Sequence, residues 1–163
     1  MGKIKIGVSS CLLGEPVRYD GEHKRDPVVI DLLDERFEAI SICPEVELGM
    51  GVPREPVYLQ AGNPRLVGVE SAREWDIADY NVKKLATLTN LSGFIIKSRS
   101  PSCGPVAVLH EKSGEKSTTA GLFAGAILKQ FPTLPIIDEE ALQDEKLRKN
   151  FIDRVLGYKG GSI

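Results

Sequence analysis

The chain has 163 residues, of which 42% are hydrophobic and 27% charged, and its formal net charge at pH 7 is −2. This length predicts a single domain over residues 1–163 with a substantial core, and the acidic balance argues against a nucleic-acid-binding surface. No apolar run is long enough to span a membrane, and the N-terminus enters a strand without a signal-peptide pattern, so we expect a cytoplasmic protein.

The first third of the chain predicts two buried strands and a helix. Residues 4–10 alternate in polarity and predict the first strand, which leads directly to Cys11. Asp26 and Pro27 are typical of a helix N-terminus, and the helix should run to about residue 35. Residues 37–42 predict the second strand, and Cys43 follows it immediately.

The rest of the chain alternates between predicted strands and predicted helices. A small hairpin is expected over residues 56–60 and 65–69, and the longest helix over residues 71–90. Further elements are expected in this order: a strand at 93–96, a short strand at 106–109, a helix introduced by 117–121, a strand at 134–138 and a helix at 139–156. Short buried strands separated by helices predict a Rossmann-like, layered α/β fold, with a mainly parallel sheet flanked by helices.

The loop that follows the third predicted core strand is unusually rigid in composition. Residues 97–105 place three serines, two prolines and a glycine around Cys103, which excludes regular structure and holds the thiol at a fixed position. Cys11 and Cys43 also come directly after predicted strands. Because the carboxyl ends of parallel strands lie on one edge of a sheet, the three thiols would converge if their strands are neighbours.

Convergent thiols suggest a metal site, although three unrelated core cysteines are the simpler alternative. A zinc site with three cysteines and one histidine would need His23 as its fourth ligand, but no closely spaced cysteine pair is present. Singly placed thiols favour an iron–sulfur cluster. A 4Fe-4S cluster on three cysteines has one iron not bound by protein, and that iron can act as a Lewis acid.

The motifs of this chain resemble those of the thiouracil desulfidase family over nearly the whole sequence. The matching segments are residues 8–14, 17–21, 43–45, 49–54 and 98–104. The resemblance implies a Rossmann-like α/β domain with an oxygen-sensitive 4Fe-4S cluster on Cys11, Cys43 and Cys103. It also implies that the protein removes sulfur from thiolated uracil, its nucleosides or its nucleotides, without net redox change.

The resemblance also assigns roles to residues near the thiols. Glu45 matches a catalytic carboxylate, and Ser100 matches a catalytic hydroxyl. Our hypothesis is that the open iron polarises the C–S bond, Glu45 activates a water, and Ser100 relays protons or orients the ring. Four further residues are candidates for contacts with the substrate because of their side-chain chemistry: Arg18, Tyr19, Arg54 and Ser102.

Two other classes of function remain open at this point. One is a zinc-dependent hydrolase or deaminase-like enzyme that uses three cysteines and one histidine, with Glu45 as general base. The other is a non-catalytic iron–sulfur protein that stores or senses iron or sulfide through the same three thiols. The acidic balance favours a small-molecule thiopyrimidine over a nucleic acid as the partner. The sequence fixes neither the oligomeric state nor which thiolated pyrimidine is used.

Overall fold

The computed structural model describes residues 4–15, 20, 24–33, 37–53, 55–61, 65–88, 90–98, 100, 102, 107–111 and 113–158. Its helices are α1 (Pro27–Leu32), α2 (Pro44–Glu47), α3 (Ala78–Leu85), α4 (Leu122–Gln130) and α5 (Glu145–Gly157), with 3₁₀ turns at Ser10–Leu13 and Ala141–Gln143. Its strands are β1 (Ile4–Ser9), β2 (Phe37–Ile42), β3 (Val57–Gln60), β4 (Arg65–Gly68), β5 (Glu74–Trp75), β6 (Gly93–Ile96), β7 (Ala107–His110), β8 (Lys116–Thr119) and β9 (Ile136–Asp138).

The central sheet is parallel and has the strand order β2-β1-β6-β9. β1 pairs with β2 on one side, with Ser9 opposite Ile42, and with β6 on the other, with Val8 opposite Ile95. The expected α/β architecture with a parallel sheet is therefore confirmed. Because β1 lies between β2 and β6, the segments that leave these three strands start from adjacent positions on one edge.

Helices cover both faces of this sheet. The side chains of β6 alternate between two apolar clusters, with Phe94 and Ile96 in one and Ile95 in the other. The first cluster takes its helical members from α3 and α4, namely Leu85, Phe123, Ala124 and Ile127, whereas the second takes them from α1 and α5, namely Val29, Leu32, Phe151 and Val155. Each fully buried side chain of this size contributes about 1.5–3 kcal/mol, so the strand ends are fixed by a continuous core.

A second sheet, which the sequence predicted only in part, has the order β5-β4-β3-β7-β8. The expected hairpin is confirmed as the antiparallel pair of β3 and β4, while β3 and β7 run parallel. Leu59 and Leu66 form the small buried core of this sheet.

Two predictions of secondary structure are wrong at their boundaries. The helix expected over residues 71–90 is only α3, because Glu74 and Trp75 pair with β4 as the short strand β5. Ser117, Thr118 and Thr119 do not introduce a helix, because they pair with β7 as part of β8, and α4 begins at Leu122. Both errors concern strands without apolar alternation, because β5 has only two residues and all four residues of β8 are exposed.

The remaining elements agree with expectation more closely. The Asp26 carboxylate accepts hydrogen bonds from the backbone amides of Val28 and Val29 at 2.9 and 3.2 Å, which is the predicted cap of α1. The helix predicted over residues 139–156 is divided into a 3₁₀ turn and α5, the latter capped by Asp144. None of the helices in the described ranges is long and apolar enough to cross a membrane.

Candidate functional site

Two of the three thiol-bearing residues occupy adjacent strand ends. Cys11 lies in the 3₁₀ turn that follows β1 and is 8% exposed, and Cys43 directly follows β2. Ser10 precedes Cys11, and Ser41 lies two residues before Cys43. The hydroxyls of these two serines are hydrogen-bonded at 2.6 Å. This bond joins the carboxyl ends of β1 and β2 at the level where the thiols emerge.

The backbone around Cys11 is held by a tight turn. The carbonyl of Cys11 accepts hydrogen bonds from the amides of Gly14 at 3.2 Å and Lys24 at 3.0 Å. Gly14 ends the turn in the left-handed region, with φ 94°, which glycine adopts without steric cost. Cys11 is thus fixed both by the preceding strand and by a returning segment of chain.

The loop after β6 reaches the segment after β2 through a hydrogen-bonded chain of side chains. The Ser102 hydroxyl donates to Glu45 Oε2 at 3.0 Å, and the hydroxyls of Ser100 and Ser102 are 3.1 Å apart. Ser102 is 1% exposed. Because a hydroxyl has one proton to donate, the bond from Ser102 to Glu45 makes Ser100 the donor to Ser102. The order of the chain is therefore Ser100, Ser102, Glu45.

Ser102 is also fixed through its backbone. Its carbonyl accepts hydrogen bonds from the amides of Phe123 at 2.8 Å and Ala124 at 3.2 Å, in the first turn of α4. Those amides have no partner within the helix, so the loop and the helix satisfy each other. Ser102 itself lies against Glu45, whereas Cys103, the next residue, lies outside the described residues.

The start of the same loop is fixed to two further strand ends. The Lys97 amide donates to the Ser9 hydroxyl at 2.9 Å, which links the end of β6 to the end of β1. The Glu139 carboxylate, directly after β9, accepts from the amide and the hydroxyl of Ser98 at 2.6 and 2.8 Å. Glu139 also pairs with the Lys97 ammonium at 3.2 Å, and its side chain is 12% exposed. The ends of β1, β6 and β9 are thus joined by side-chain bonds.

Cys43 is clamped by a carboxylate of its own helix. Its amide donates to Glu47 Oε2 at 2.9 Å, and its carbonyl accepts from the Glu47 amide at 3.0 Å. The other carboxylate oxygen of Glu47 lies 2.7 Å from the Lys84 ammonium of α3. Cys43 is therefore connected to a separate helix through one intermediate residue.

The sequence-predicted residues fall into two groups. Five of them lie on the same edge of the parallel sheet in the described structure: Cys11, Cys43, Glu45, Ser100 and Ser102. The remaining candidates lie outside the described residues: Cys103, Arg18, Tyr19, Arg54 and His23. Within the residues that the structure describes, no group of three His, Cys, Asp or Glu side chains is arranged to hold a metal ion.

Sequence reasoning missed the residues that support the site. Glu47, Lys84 and Glu139 were not singled out, although each bonds to a residue of the three strand-end segments. Glu47 had a readable signal, since an acidic residue in a first helical turn is a capping feature. Lys84 and Glu139 had none, because their partners are distant in sequence.

The donor set fits an iron–sulfur cluster better than it fits a closed zinc site. Cys11 and Cys43 lie at the neighbouring ends of β1 and β2, and Ser102, which precedes Cys103, is hydrogen-bonded to Glu45, two residues after Cys43. Cys11 and Cys43 lie on separate loops, and the sequence has no closely spaced cysteine pair of the kind that structural zinc sites use, so singly placed cluster ligands suit this edge better.

Comparison with known proteins identifies the family. A profile of the 2-thiouracil desulfurase family matches residues 6–139. The uncharacterised protein YbbK of Bacillus subtilis (strain 168) is 35% identical over 151 residues, which cover 85% of this chain and 98% of YbbK. A solved structure of the 4Fe-4S-dependent thiouracil desulfidase TudS is 30% identical, has a TM-score of 0.66, and is matched over 91% of this chain and 99% of that chain. The chain belongs to the 2-thiouracil desulfurase family.

Proposed function

We propose that this protein catalyses the non-redox removal of sulfur from thiolated uracil or its nucleoside or nucleotide, with a 4Fe-4S cluster held by Cys11, Cys43 and Cys103. The observation that carries the proposal is the bond between Ser102 and Glu45, at 3.0 Å. Ser102 directly precedes the proposed ligand Cys103, and Glu45 lies two positions after the proposed ligand Cys43. The similarity to TudS, which is named as a 4Fe-4S-dependent thiouracil desulfidase, supports the same assignment.

The cofactor would bring one kind of chemistry to this edge of the sheet. When bound, a 4Fe-4S cluster on three protein ligands supplies one iron not bound by protein, a Lewis acid with affinity for a substrate sulfur. The protein supplies the three thiolates and the rigid strand ends that carry them. Protein side chains would thus bind three of the four irons, and the surrounding loops would control access to the fourth iron.

The hydrogen-bonded chain of Ser100, Ser102 and Glu45 provides the proton transfers of the reaction. Glu45 removes a proton from a water molecule, whose oxygen forms a bond to the carbon that bears sulfur. Once Glu45 is protonated it becomes the donor, and both hydroxyls rotate to reverse the direction of the chain. Glu45 then gives its proton to Ser102, Ser102 gives its own to Ser100, and Ser100 gives its own to the substrate. The C–S bond breaks, sulfur leaves with the electron pair as sulfide, and the pyrimidine gains an oxygen. Substrate and water are converted into the oxo-pyrimidine and hydrogen sulfide with no electron acceptor or donor.

We assign recognition of the pyrimidine to candidate residues predicted from the sequence. Arg18 and Arg54 would bind a carbonyl oxygen or a phosphate, and Tyr19 would stack on the ring. The cytoplasmic location, the small-molecule partner and the extent of the domain over residues 1–163 also stay predictions.

The test is anaerobic reconstitution with iron and sulfide, followed by incubation with thiouracil and its nucleoside and nucleotide forms. We expect a brown protein with about four irons per chain and sulfide release matched by equal oxo-pyrimidine. Reconstituted protein with its full iron content that releases no sulfide from any of these compounds would overturn the activity and leave the sensing function. A colourless protein that binds one zinc and loses it in the variant His23→Asn would instead support the zinc hydrolase.

A further inference from the structure

The contact between α2 and α3 suggests a role for two residues outside the hydrogen-bonded chain of Ser100, Ser102 and Glu45. Glu47 accepts the amide proton of Cys43 at 2.9 Å with one carboxylate oxygen and binds the Lys84 ammonium at 2.7 Å with the other. We propose that Glu47 and Lys84 are positioning residues for Cys43 and that Lys84 neutralises the carboxylate charge beside this cluster ligand. The inference rests on the proposed function, since it assigns Cys43 to the cluster.

The first step is that the backbone of Cys43 is held through both of its polar groups. Its amide donates to the Glu47 side chain and its carbonyl accepts from the Glu47 backbone at 3.0 Å, so two bonds to one residue fix its orientation. The second bond is the first backbone bond of α2, and the first bond gives the amide of the N-cap residue a partner from the side chain of its own helix. The thiol of Cys43 is therefore presented from a backbone with little freedom to rotate.

The second step is that the anchor of this clamp is rigid. Lys84 lies on α3 beside Leu85, which is 9% exposed and belongs to the core. One turn earlier, the Asn81 side chain donates to the carbonyl of Leu122 at 3.2 Å and ties α3 to the start of α4. The Lys84 side chain is 22% exposed and that of Glu47 is 32% exposed, so the pair is partly screened from solvent.

The third step concerns charge. A carboxylate bonded to the backbone of a ligand residue would repel a thiolate and an anionic cluster, and the Lys84 ammonium, 2.7 Å from that carboxylate, opposes this repulsion. Charges and hydrogen bonds around an iron–sulfur cluster set its reduction potential. Removing the cation and removing the anion should therefore have opposite electrostatic effects, whereas loss of a purely structural contact would have the same effect in both variants.

The experiment compares Lys84→Met and Glu47→Gln with the control Lys83→Met in anaerobically reconstituted protein. Lys83 is the neighbouring residue, and its ion pair with Asp79 is exposed, at 77% and 83% for the two side chains. Methionine keeps the apolar stem of lysine, and glutamine keeps the oxygen that accepts from Cys43. The readouts are the reduction midpoint of the cluster, followed by electron paramagnetic resonance, and the rate of iron loss to a chelator.

We expect the midpoint to become more negative in Lys84→Met and more positive in Glu47→Gln, with no change in Lys83→Met. Iron loss should be about tenfold faster in Lys84→Met, as for other supports of metal ligands. Lys84→Arg keeps the cation and should restore both values, which separates the charge from a folding defect.

Midpoints that shift in the same direction in both variants, or do not shift, would overturn the inference while leaving the proposed function intact. A wild-type protein that takes up no cluster would overturn the proposed function itself.

Discussion

The two sheets of this protein use their polar side chains over very different distances along the chain. At the carboxyl edge of the parallel sheet, Ser102 bonds to Glu45 across 57 residues and Lys97 bonds to Ser9 across 88. In the second sheet, Glu55 bonds to Ser71 across 16 residues. A bond between distant loops fixes their relative position, whereas a bond within one hairpin shapes only that hairpin.

The difference separates residues that assemble a site from residues that close a turn. Glu55 accepts from the amides of Glu70 and Ser71 at 2.8 and 2.9 Å, and a Cβ at Gly68 would overlap its carboxylate. This arrangement fully explains Glu55 as an anchor of the turn between β4 and β5. We therefore expect substitutions at the parallel edge to alter chemistry and substitutions in the second sheet to alter stability alone.

The largest effect is expected at the thiols. Cys11→Ser removes a proposed ligand from the buried turn after β1 and should abolish both cluster retention and sulfide release. Iron content and visible absorption after reconstitution measure the first effect, and sulfide assay measures the second. A Cys11→Ser protein that keeps full iron content and activity would show that Cys11 is not a ligand and would contradict a cluster at the carboxyl edge of the parallel sheet.

The next largest effect is expected at Glu45. Glu45→Gln keeps the shape of the side chain but removes the base, and loss of a positioned general base costs about 100- to 10,000-fold in kcat. Iron content should stay at the wild-type level, because the substitution leaves the three thiols in place. A rate within a factor of about three of wild type would exclude Glu45 as the base.

Ser102 and Ser100 offer a comparison within the hydrogen-bonded chain. Ser102→Ala removes the hydroxyl that joins Glu45 to Ser100, so its rate should fall at least as far as that of Ser100→Ala. The double variant should be no slower than Ser102→Ala alone, because a broken chain cannot be broken again. Multiplicative losses in the double variant would show that the two hydroxyls act independently.

A smaller effect is expected at Glu139, which supports the start of the loop. Glu139→Gln weakens the bonds to Ser98 and the ion pair with Lys97, and hydrogen bonds to charged groups contribute about 1.5–3 kcal/mol. Because glutamine keeps one oxygen that can accept from Ser98, we expect a loss near the lower end of that range in urea unfolding, together with a modest fall in kcat. Glu115→Gln is the matched control, since Glu115 is exposed in the turn between β7 and β8.

The smallest effect on chemistry is expected at Glu55, which affects stability only. The Ser71 hydroxyl, followed by the amides of Ser71 and Glu70, holds the pKa of Glu55 below its ordinary value of 4.5. A depressed folded-state pKa stabilises the fold above the unfolded pKa, and this stabilisation disappears as the pH falls through the folded value. The Tm of Glu55→Gln should thus be lower than that of wild type at neutral pH and equal to it in strong acid. A changed kcat in this variant would contradict the claim that substitutions in the second sheet alter stability alone.

The sequence predicted the parallel edge better than it predicted the second sheet, for a physical reason. The strands that precede Cys11 and Cys43 can be recognised from the local alternation of apolar and polar residues and from the glycine and proline residues that follow. Trp75 and Thr118, by contrast, belong to strands only because β4 and β7 pair with them. β5 is only two residues long and all four residues of β8 are exposed, so neither strand has the apolar alternation by which a strand is recognised, and the sequence pattern favours a helix at both places.

The same limit applies inside the candidate site. The residue types of Glu45, Ser100 and Ser102 could be recognised from the sequence, but their order in a hydrogen-bonded chain could not. The bonds from Lys84 to Glu47 and from Glu139 to Ser98 required the packed positions of separate elements.

The central claim is that the three strand-end loops support hydrolysis of a C–S bond without redox change. The most direct measurement is one anaerobic turnover experiment with thiouracil in water labelled with heavy oxygen, with no reductant or oxidant present. We predict that each oxo-pyrimidine formed carries one labelled oxygen and is matched by one sulfide. Product that lacks the label, or turnover that requires an electron donor or acceptor, would contradict the account.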